Sequence, residues 1–147
     1  MGAATRGQNT DAGPVILNLS LSELRHVDEL PYRTAIAAGV KLMMTSWAIY
    51  PPLDPHLPAG LSPAVIQGEL RRHPGFRGIT ITDAITAAAL ARFGSLGQRG
   101  LLSARAGADL IICSATNPDQ NTPADGMAVL TAITSALASG ELNRSCG

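Results

Sequence analysis

Gly75-Phe-Arg-Gly-Ile-Thr-Ile-Thr-Asp83 is the stretch of sequence that decides the fold. Residues 79–82 alternate between isoleucine and threonine, which predicts a short strand. One carboxylate, Asp83, stands at the predicted end of that strand, and residues 84–93 are predicted to form a helix. A strand that delivers an acid to a strand-to-helix turn is how parallel α/β enzymes present catalytic groups.

Two further apolar stretches, residues 40–47 and 108–114, are predicted to be strands. Helices are predicted at about residues 20–39 with a break at Pro31, 62–73, 101–106 and 124–142. Strands and helices therefore alternate as in βαβ units. The sequence predicts an α/β fold with three parallel strands, each buried on both faces.

Composition indicates one globular domain and excludes several classes of partner. The chain has 147 residues, of which 46% are hydrophobic and 15% are charged. The formal net charge is zero and aromatic residues make up 3%, so we expect no nucleic-acid partner and no anionic membrane surface. Neither a glycine-rich nucleotide loop nor a Gly-x-Ser-x-Gly elbow is present.

The two cysteines predict neither a disulfide framework nor a metal site. Cys113 lies within an apolar run and Cys146 lies next to the end of the chain. We expect no metal and no cofactor. No apolar run approaches the roughly 20 residues of a membrane span, and Met1 is not followed by the apolar core of a signal peptide. As written, the chain is expected to stay in the cytoplasm, although a longer parent could be exported.

The residues alone leave two roles open for Asp83. An aspartate just ahead of a helix is often its cap, and an aspartate at a strand end can also be catalytic. Thr45 and Ser46 at the end of the first strand, and Ser114 at the end of the third, are candidate substrate-binding residues on the same rim. Of two other acids, Asp54 is predicted to be a turn residue and Asp109 a local hydrogen-bonding residue.

Four blocks of sequence occur in a fixed order over about residues 9–142. They are Pro31-Tyr-Arg-Thr-Ala-Ile-Ala-Ala-Gly-Val40; Leu42-Met-Met44 with Tyr50-Pro51 and Leu53-Asp54; Leu70-Arg71 with Gly75–Asp83; and Ala106-Gly-Ala-Asp-Leu110. In this order and spacing they resemble the glycoside hydrolase family 3 N-terminal domain. The resemblance implies a partial (β/α)8 TIM-type barrel of about three parallel βα units, strands six to eight. Residues 1–147 would form that single domain, with a loop at 1–13 and a tail at 143–147.

The resemblance also implies a reaction and a nucleophile. The family's nucleophilic aspartate corresponds to Asp83, and the implied chemistry is retaining hydrolysis of O-glycosyl bonds. A carbohydrate is then the expected substrate, cleaved as by a β-N-acetylhexosaminidase or a β-glucosidase.

One departure concerns the acid/base. Asn9-Thr-Asp-Ala-Gly13 stands where the bacterial N-acetylhexosaminidase branch has an Asp-Ser-His loop, so Gly13 replaces the histidine if Asp11 matches the aspartate. The first five or so strands of the barrel are also missing from the match. We therefore expect a truncated glycosidase that is weakly active or inactive. The alternative is a non-catalytic binding or assembly module that self-associates through open barrel edges.

Overall fold

Three parallel strands form the sheet of the computed structural model, which describes residues 8–114 and 122–143. The strands are β1 (Leu42–Met44), β2 (Ile79–Ala84) and β3 (Leu110–Ile112), in that spatial order. Leu42 pairs with Ile79, and Ile81 pairs with Leu110, so β2 is the central strand. The predicted number, order and parallel direction of the strands are confirmed, but β1 and β3 are shorter than predicted.

Helices precede β1 and follow each strand along the described chain. The α-helices are α1 (Leu21–Glu23), α2 (Leu30–Ala37), α3 (Leu96–Ala106) and α4 (Pro123–Ala138). Two segments are π-helices, Leu24–Asp28 and Ala64–Arg72, and two are 3₁₀-helices, Ala59–Leu61 and Ala88–Phe93. The break expected at Pro31 is confirmed, since α2 begins one residue earlier and places the proline in its first turn, where no N–H is needed.

The helix expected at residues 84–93 is wrong. β2 continues through Ala84, and the only helix that follows directly is the 3₁₀-helix Ala88–Phe93. The intervening residues form a turn, in which the Ala87 N–H donates to the Ala84 carbonyl at 3.1 Å, and two long-range contacts hold this segment. The Thr86 hydroxyl donates to the Ser114 carbonyl at 2.5 Å, and the Ala88 N–H donates to the Asp11 carbonyl at 3.2 Å.

The helix predicted from residue 101 begins earlier, at Leu96. Ser95 and Gln98 form a reciprocal capping box that fixes this start. Two glycines of this helix, Gly97 and Gly100, are sites of close packing against α4. A Cβ on Gly100 would lie 2.5 Å from a methyl group of Val129, so only glycine allows the two helices to approach this closely.

The prediction that all three strands are buried on both faces is also wrong. Met43, Thr80 and Thr82 are buried on the face that packs against the helices. Four large apolar side chains on the other face are 45–54% exposed, and they are Leu42, Met44, Ile79 and Leu110. The described helices therefore cover one face of the sheet, and we call the other the open face.

A carboxylate at the start of β3 links the amino-terminal ends of β2 and β3. Asp109 accepts hydrogen bonds from the Thr80 N–H (2.7 Å), the Thr80 hydroxyl (2.8 Å) and the Arg71 guanidinium (2.7 Å). Burial alone would raise the pKa of Asp109, but these hydrogen bonds and the Arg71 charge hold it below its usual range. The prediction that Asp109 is a local hydrogen-bonding residue is confirmed.

Two buried carboxyl groups meet on the helical side of the sheet. Arg25 donates two hydrogen bonds to Glu69, at 2.8 and 2.7 Å, and this pairing outweighs burial and keeps the pKa of Glu69 low. Burial, followed by the negative charge of Glu69, raises the pKa of Glu29 to about 7. Glu29 therefore keeps its proton in the folded chain at a pH where an unfolded glutamate has lost it.

Replacing Glu29 by glutamine is expected to remove a pH-dependent loss of stability. The unfolded side chain ionises near pH 4.5 and the folded one near pH 7, so the parent loses stability as the pH rises through that window. Because Glu29→Gln cannot ionise, it avoids this loss of roughly 2 to 3 kcal/mol. Urea unfolding at pH 5 and pH 8 measures the difference, with exposed Glu23→Gln as control. An equal drop in Glu29→Gln and the parent would contradict the assignment.

Candidate active site

A β-bulge lies where β2 approaches its end. Ile81 pairs with Leu110 and Ala84 pairs with Ile112, so β2 advances by three residues while β3 advances by two. The extra residue falls within Thr82–Asp83. A bulge of this kind bends the strand and redirects a side chain, and bulges are frequent beside active sites.

The side chain of Thr82 supplies the hydrogen bond that the bulge removes from the ladder. Its hydroxyl oxygen, which is fully buried, accepts from the Ile112 N–H at 3.0 Å. Beyond the bulge, the Ile85 N–H donates to the Ile112 carbonyl at 2.9 Å, so both backbone groups of Ile112 are satisfied. Sequence reasoning identified this threonine only as part of an alternating strand.

Asp83 lies at the bulge, on the open face of the sheet. Burial alternates along β2, with Thr80 and Thr82 buried and Ile81 and Asp83 partly exposed. One carboxylate oxygen, Oδ1, accepts from the N–H of Ala84 at 2.7 Å. This contact fixes the carboxylate against its own backbone.

The capping role left open for Asp83 is wrong. The 3₁₀-helix that follows begins at Ala88, its cap position is Ala87, and no side chain makes a capping hydrogen bond there. Asp83 is instead a strand-end carboxylate that points away from the helical layer. This is the position at which parallel barrels hold catalytic side chains.

Two of the proposed substrate-binding residues lie at the end of β1. The Thr45 side chain is buried, and its hydroxyl donates to the Ile81 carbonyl at 3.4 Å. Ser46 is half-buried, and its oxygen lies 3.4 Å from the Tyr50 hydroxyl. Ser46 follows β1 by two residues, and the last pair of the β1–β2 ladder is Met44 with Ile81.

The third proposed substrate-binding residue, Ser114, follows β3. Its carbonyl accepts the Thr86 hydroxyl, so its backbone lies beside the segment that follows Asp83. The ends of the three strands thus bring Ser46, Asp83 and Ser114 to one rim. Sugar binding by Thr45, Ser46 and Ser114 stays a prediction.

The single tryptophan of the chain ties β1 to β2 at this rim. The Trp47 indole N–H donates to the carbonyl of Ala84 at 2.8 Å, and its ring is almost wholly buried. A Cβ on Gly60 would lie 2.5 Å from the ring, so the loop can cross the indole only with glycine at that position. Sequence reasoning missed this residue, although an isolated tryptophan at the last position of a predicted strand was the available signal.

Arg99 of α3 holds the segment that follows Asp83. Its guanidinium donates to the Ile85 carbonyl at 3.2 Å and to the Gly94 carbonyl at 2.9 Å. Burial lowers the pKa of this guanidinium from its ordinary value. Arg99 therefore acts on the backbone beside the site, and the sequence reasoning did not single it out.

A loop at the start of the described chain also reaches the segment after Asp83. The carbonyls of Thr10 and Asp11 accept hydrogen bonds from the N–H groups of Ala89 and Ala88, at 3.0 and 3.2 Å. The Asn9 side chain accepts from the Asp11 N–H at 2.9 Å and holds the turn. The loop that stands in the place of the Asp-Ser-His motif is therefore docked beside β2.

The predicted turn role of Asp54 is confirmed. Its carboxylate accepts from the Ser62 hydroxyl at 2.6 Å and from the N–H groups of His56 and Leu57 at 2.9 and 3.0 Å. Burial opposes ionisation, but these hydrogen bonds outweigh it and hold the pKa of Asp54 below its usual range. Its carboxylate is therefore occupied within its own loop.

Neither a metal-binding cluster nor a membrane-spanning helix occurs in the part of the chain that the structure describes. Over residues 8–114 and 122–143, no three or more His, Cys, Asp or Glu side chains are grouped so that they could hold a metal ion. Within the same part of the chain, no helix combines the length and apolar character needed to cross a bilayer.

Comparison with known proteins identifies the family. The family model described as "Glycosyl hydrolase family 3 N terminal domain" matches residues 3–146. The chain belongs to this family. A protein of Arthroderma benhamiae, described as an uncharacterized secreted glycosyl hydrolase, is 50% identical over 143 residues. A β-hexosaminidase of Stenotrophomonas maltophilia is 37% identical over 111 residues.

Solved structures agree with the family assignment. The family 3 β-N-acetylglucosaminidase of a Paenibacillus species superposes with a TM-score of 0.86 at 30% identity, over 95% of this chain and 26% of that one. The alignments with the Arthroderma and Stenotrophomonas relatives cover 97% and 76% of this chain but only 39% and 33% of those proteins. The chain is thus a β-hexosaminidase-like member of family 3, and its sheet and helices form part of a TIM-type barrel.

Removing the Thr82 hydroxyl is expected to destabilise the bulge. Thr82→Val leaves the Ile112 N–H buried without an acceptor, which costs about 1 to 3 kcal/mol of unfolding free energy. Thr82→Ser keeps the oxygen and is the matched control. Urea unfolding measures the cost, and hydrogen exchange at the Ile112 amide localises it. If the valine variant equals the serine variant in both measurements, the hydroxyl does not support the bulge.

Proposed function

We propose that Asp83 is the nucleophile of a retaining glycoside hydrolase of the β-N-acetylhexosaminidase type. The observation that carries this proposal is the position of its carboxylate, at a bulge near the end of the central strand and on the open face. The names of the Stenotrophomonas and Paenibacillus proteins favour a substrate with a terminal N-acetylated amino sugar. A β-glucoside is the second substrate to test.

The contact of Asp83 with its own backbone suits nucleophilic attack. Oδ1 accepts from the Ala84 N–H, so in this proposal Oδ2 is the oxygen that attacks the anomeric carbon. A bond forms between Oδ2 and that carbon while the glycosidic C–O bond breaks, and the leaving oxygen takes a proton from an acid. Water then cleaves the resulting glycosyl ester with help from the conjugate base, so the anomeric configuration is retained.

The acid/base is a separate part of the proposal. Asp11 is our candidate, because its loop is hydrogen-bonded to the segment that follows β2. Retaining enzymes place their two carboxyl groups about 5 Å apart, so Asp11 has to approach Asp83 in the working site. If Asp11 matches the aspartate of the Asp-Ser-His loop, Gly13 stands in the place of its histidine, and the carboxyl group acts alone.

We also propose that the chain by itself turns substrate over weakly or not at all. The rim described above comes from three strands, whereas a TIM barrel builds its site from the ends of eight. A sugar bound at Asp83 would then be enclosed on one side only. The acceleration that comes from orientation and exclusion of water would be largely lost.

Asp83→Asn is expected to abolish turnover once the barrel is completed. The test fuses the part of the Arthroderma relative that precedes its matching segment to this chain. Hydrolysis of an aryl N-acetylglucosaminide and an aryl glucoside is then measured. We expect Asp83→Asn to lower kcat by roughly 1,000-fold or more, because it removes the attacking group. Asp28→Asn, in the π-helix Leu24–Asp28, is the matched control and should behave like the parent fusion.

Two further measurements separate a nucleophile from a structural aspartate. Azide can take the place of the missing carboxylate in Asp83→Gly, so it should restore turnover and form a glycosyl azide of inverted configuration. In the parent fusion, a fluorinated sugar that slows deglycosylation should label Asp83, as detected by mass spectrometry. Full activity of Asp83→Asn, or an inverted product from the parent, would overturn the proposal.

The site of action is a proposal of its own. The Arthroderma relative is described as secreted, which favours export of this chain over the cytoplasmic location given above as an expectation. Fractionation of producing cells, followed by immunoblotting against this chain, decides between the two. Recovery from the medium would overturn the cytoplasmic prediction.

A further inference from the structure

The open face of the sheet is the largest feature that the site does not explain. Leu42, Met44, Ile79 and Leu110 are 45–54% exposed, although each belongs to a strand. Clustered apolar side chains of this size on a sheet face mark a surface that is covered in the working molecule. The face also carries Asp83, so what covers it also encloses the candidate site.

Both edges of the sheet are open in the described residues. Within residues 8–114 and 122–143, β1 and β3 pair only with β2, so the outer edge of each has no strand partner. Backbone groups along such edges readily accept another strand. Because all three strands run parallel, a strand added at either edge can continue the barrel direction.

A cavity of about 110 Å³ extends the apolar surface past the outer edge of β1. It lies between α2, β1 and the π-helix Ala64–Arg72, and no residue of β2 or β3 lines it. Tyr32, Ile36 and Met44 form part of its wall. The surface to be covered therefore continues from the open face around the edge of β1 into the helical layer, which is the space that a neighbouring βα unit occupies in a barrel.

The number of strands decides the occupant. A TIM-type barrel closes with eight parallel strands, and this sheet has three. Two copies would supply only six, whereas about five strands complete the closure. The Paenibacillus structure, which superposes over 95% of this chain, contains the same unit within a chain almost four times as long. The strand count and the length of the Paenibacillus chain favour a complementary barrel segment, rather than a second copy of this chain, as the occupant of the open face.

We infer that the open face and both sheet edges form a docking surface for the amino-terminal strands of a family 3 barrel, which bind it even when carried on a separate polypeptide. The occupant presents parallel strands that pair with the outer edges of β1 and β3 and apolar side chains that cover Leu42, Met44, Ile79 and Leu110. The inference rests on the fold and the exposed face. It does not require Asp83 to be the nucleophile.

The test combines the full chain with the part of the Arthroderma relative that precedes its matching segment, produced as a separate polypeptide. Size-exclusion chromatography with light scattering should show a one-to-one complex, while this chain alone runs as a monomer. The relative's own matching segment is the positive control for the probe. Absence of a complex with this chain, when the relative's segment forms one, would overturn the inference.

Methionine oxidation tests whether the open face is the contact surface. Met44 is 54% exposed and Met43 is buried, so peroxide should oxidise Met44 much faster in the free chain. In the complex, oxidation of Met44 should slow at least fivefold, while an exposed reference methionine introduced as Arg72→Met is unchanged. The fusion used for activity offers the same readout without separate association. Unprotected Met44 in both the mixture and the fusion would overturn the inference.

Charge variants locate the contact independently. Met44→Lys and Leu110→Lys place an ammonium group on the open face and should weaken association at least tenfold. Both side chains are about half exposed, so the isolated variants should keep the thermal stability of the parent. Ala64→Lys adds the same charge at an exposed position of the π-helix and should bind normally. Equal affinity of all three variants would contradict the inference, as would a self-dimer that protects Met44.

The docking surface and the nucleophile can be refuted separately. Asp83→Asn should form the complex as well as the parent does, because its carboxylate is not needed for docking. A complex that protects Met44 but remains active with Asp83→Asn would refute the nucleophile and keep the docking surface. A fusion whose activity is lost in Asp83→Asn but in which Met44 is still oxidised would support the nucleophile and refute the docking surface.

Discussion

Two threonine hydroxyls on one face of β2 hold the site together. Near the amino-terminal end of the strand, the Thr80 hydroxyl is hydrogen-bonded to the Gly107 carbonyl and to Asp109. Near the carboxyl-terminal end, the Thr82 hydroxyl accepts from the Ile112 N–H. Both hydroxyl oxygens are buried with hydrogen-bond partners, which offsets the cost of burying them. With the threonines turned toward the helices, strand geometry places the alternating isoleucines on the opposite face, and the bulge then sets the position of Asp83.

The alternation of isoleucine and threonine therefore does more than predict β2, because it also separates the two faces of the strand. It identified the strand, its last carboxylate and the βα order, all of which are local properties. The bulge was not predictable, because it depends on the register between β2 and a strand 30 residues away. The helix expected after Asp83 failed for a similar reason, since Thr86 and Ala88 are held by partners distant in sequence.

The sequence did not show which face of each strand is buried and which is exposed. Apolar runs such as residues 40–47 and 108–114 are typical of strands covered on both sides, and a barrel lumen would cover them. In the described residues only the helical side is covered. β1 and β3 are apolar on both faces because, in the longer family 3 proteins that this chain resembles, a barrel would cover the second face. Three strands cannot enclose such an interior, so the burial prediction was wrong for this chain.

The hydrogen bond between the Trp47 indole and the Ala84 carbonyl makes tryptophan fluorescence an intrinsic probe of the strand ends. The chain has one tryptophan, and its indole is hydrogen-bonded to the residue that follows Asp83. Its fluorescence therefore comes from a single, water-shielded position at the rim. A shift in emission on adding a sugar or a barrel segment would register rearrangement of these strand ends directly, without a label and with no background from other indoles.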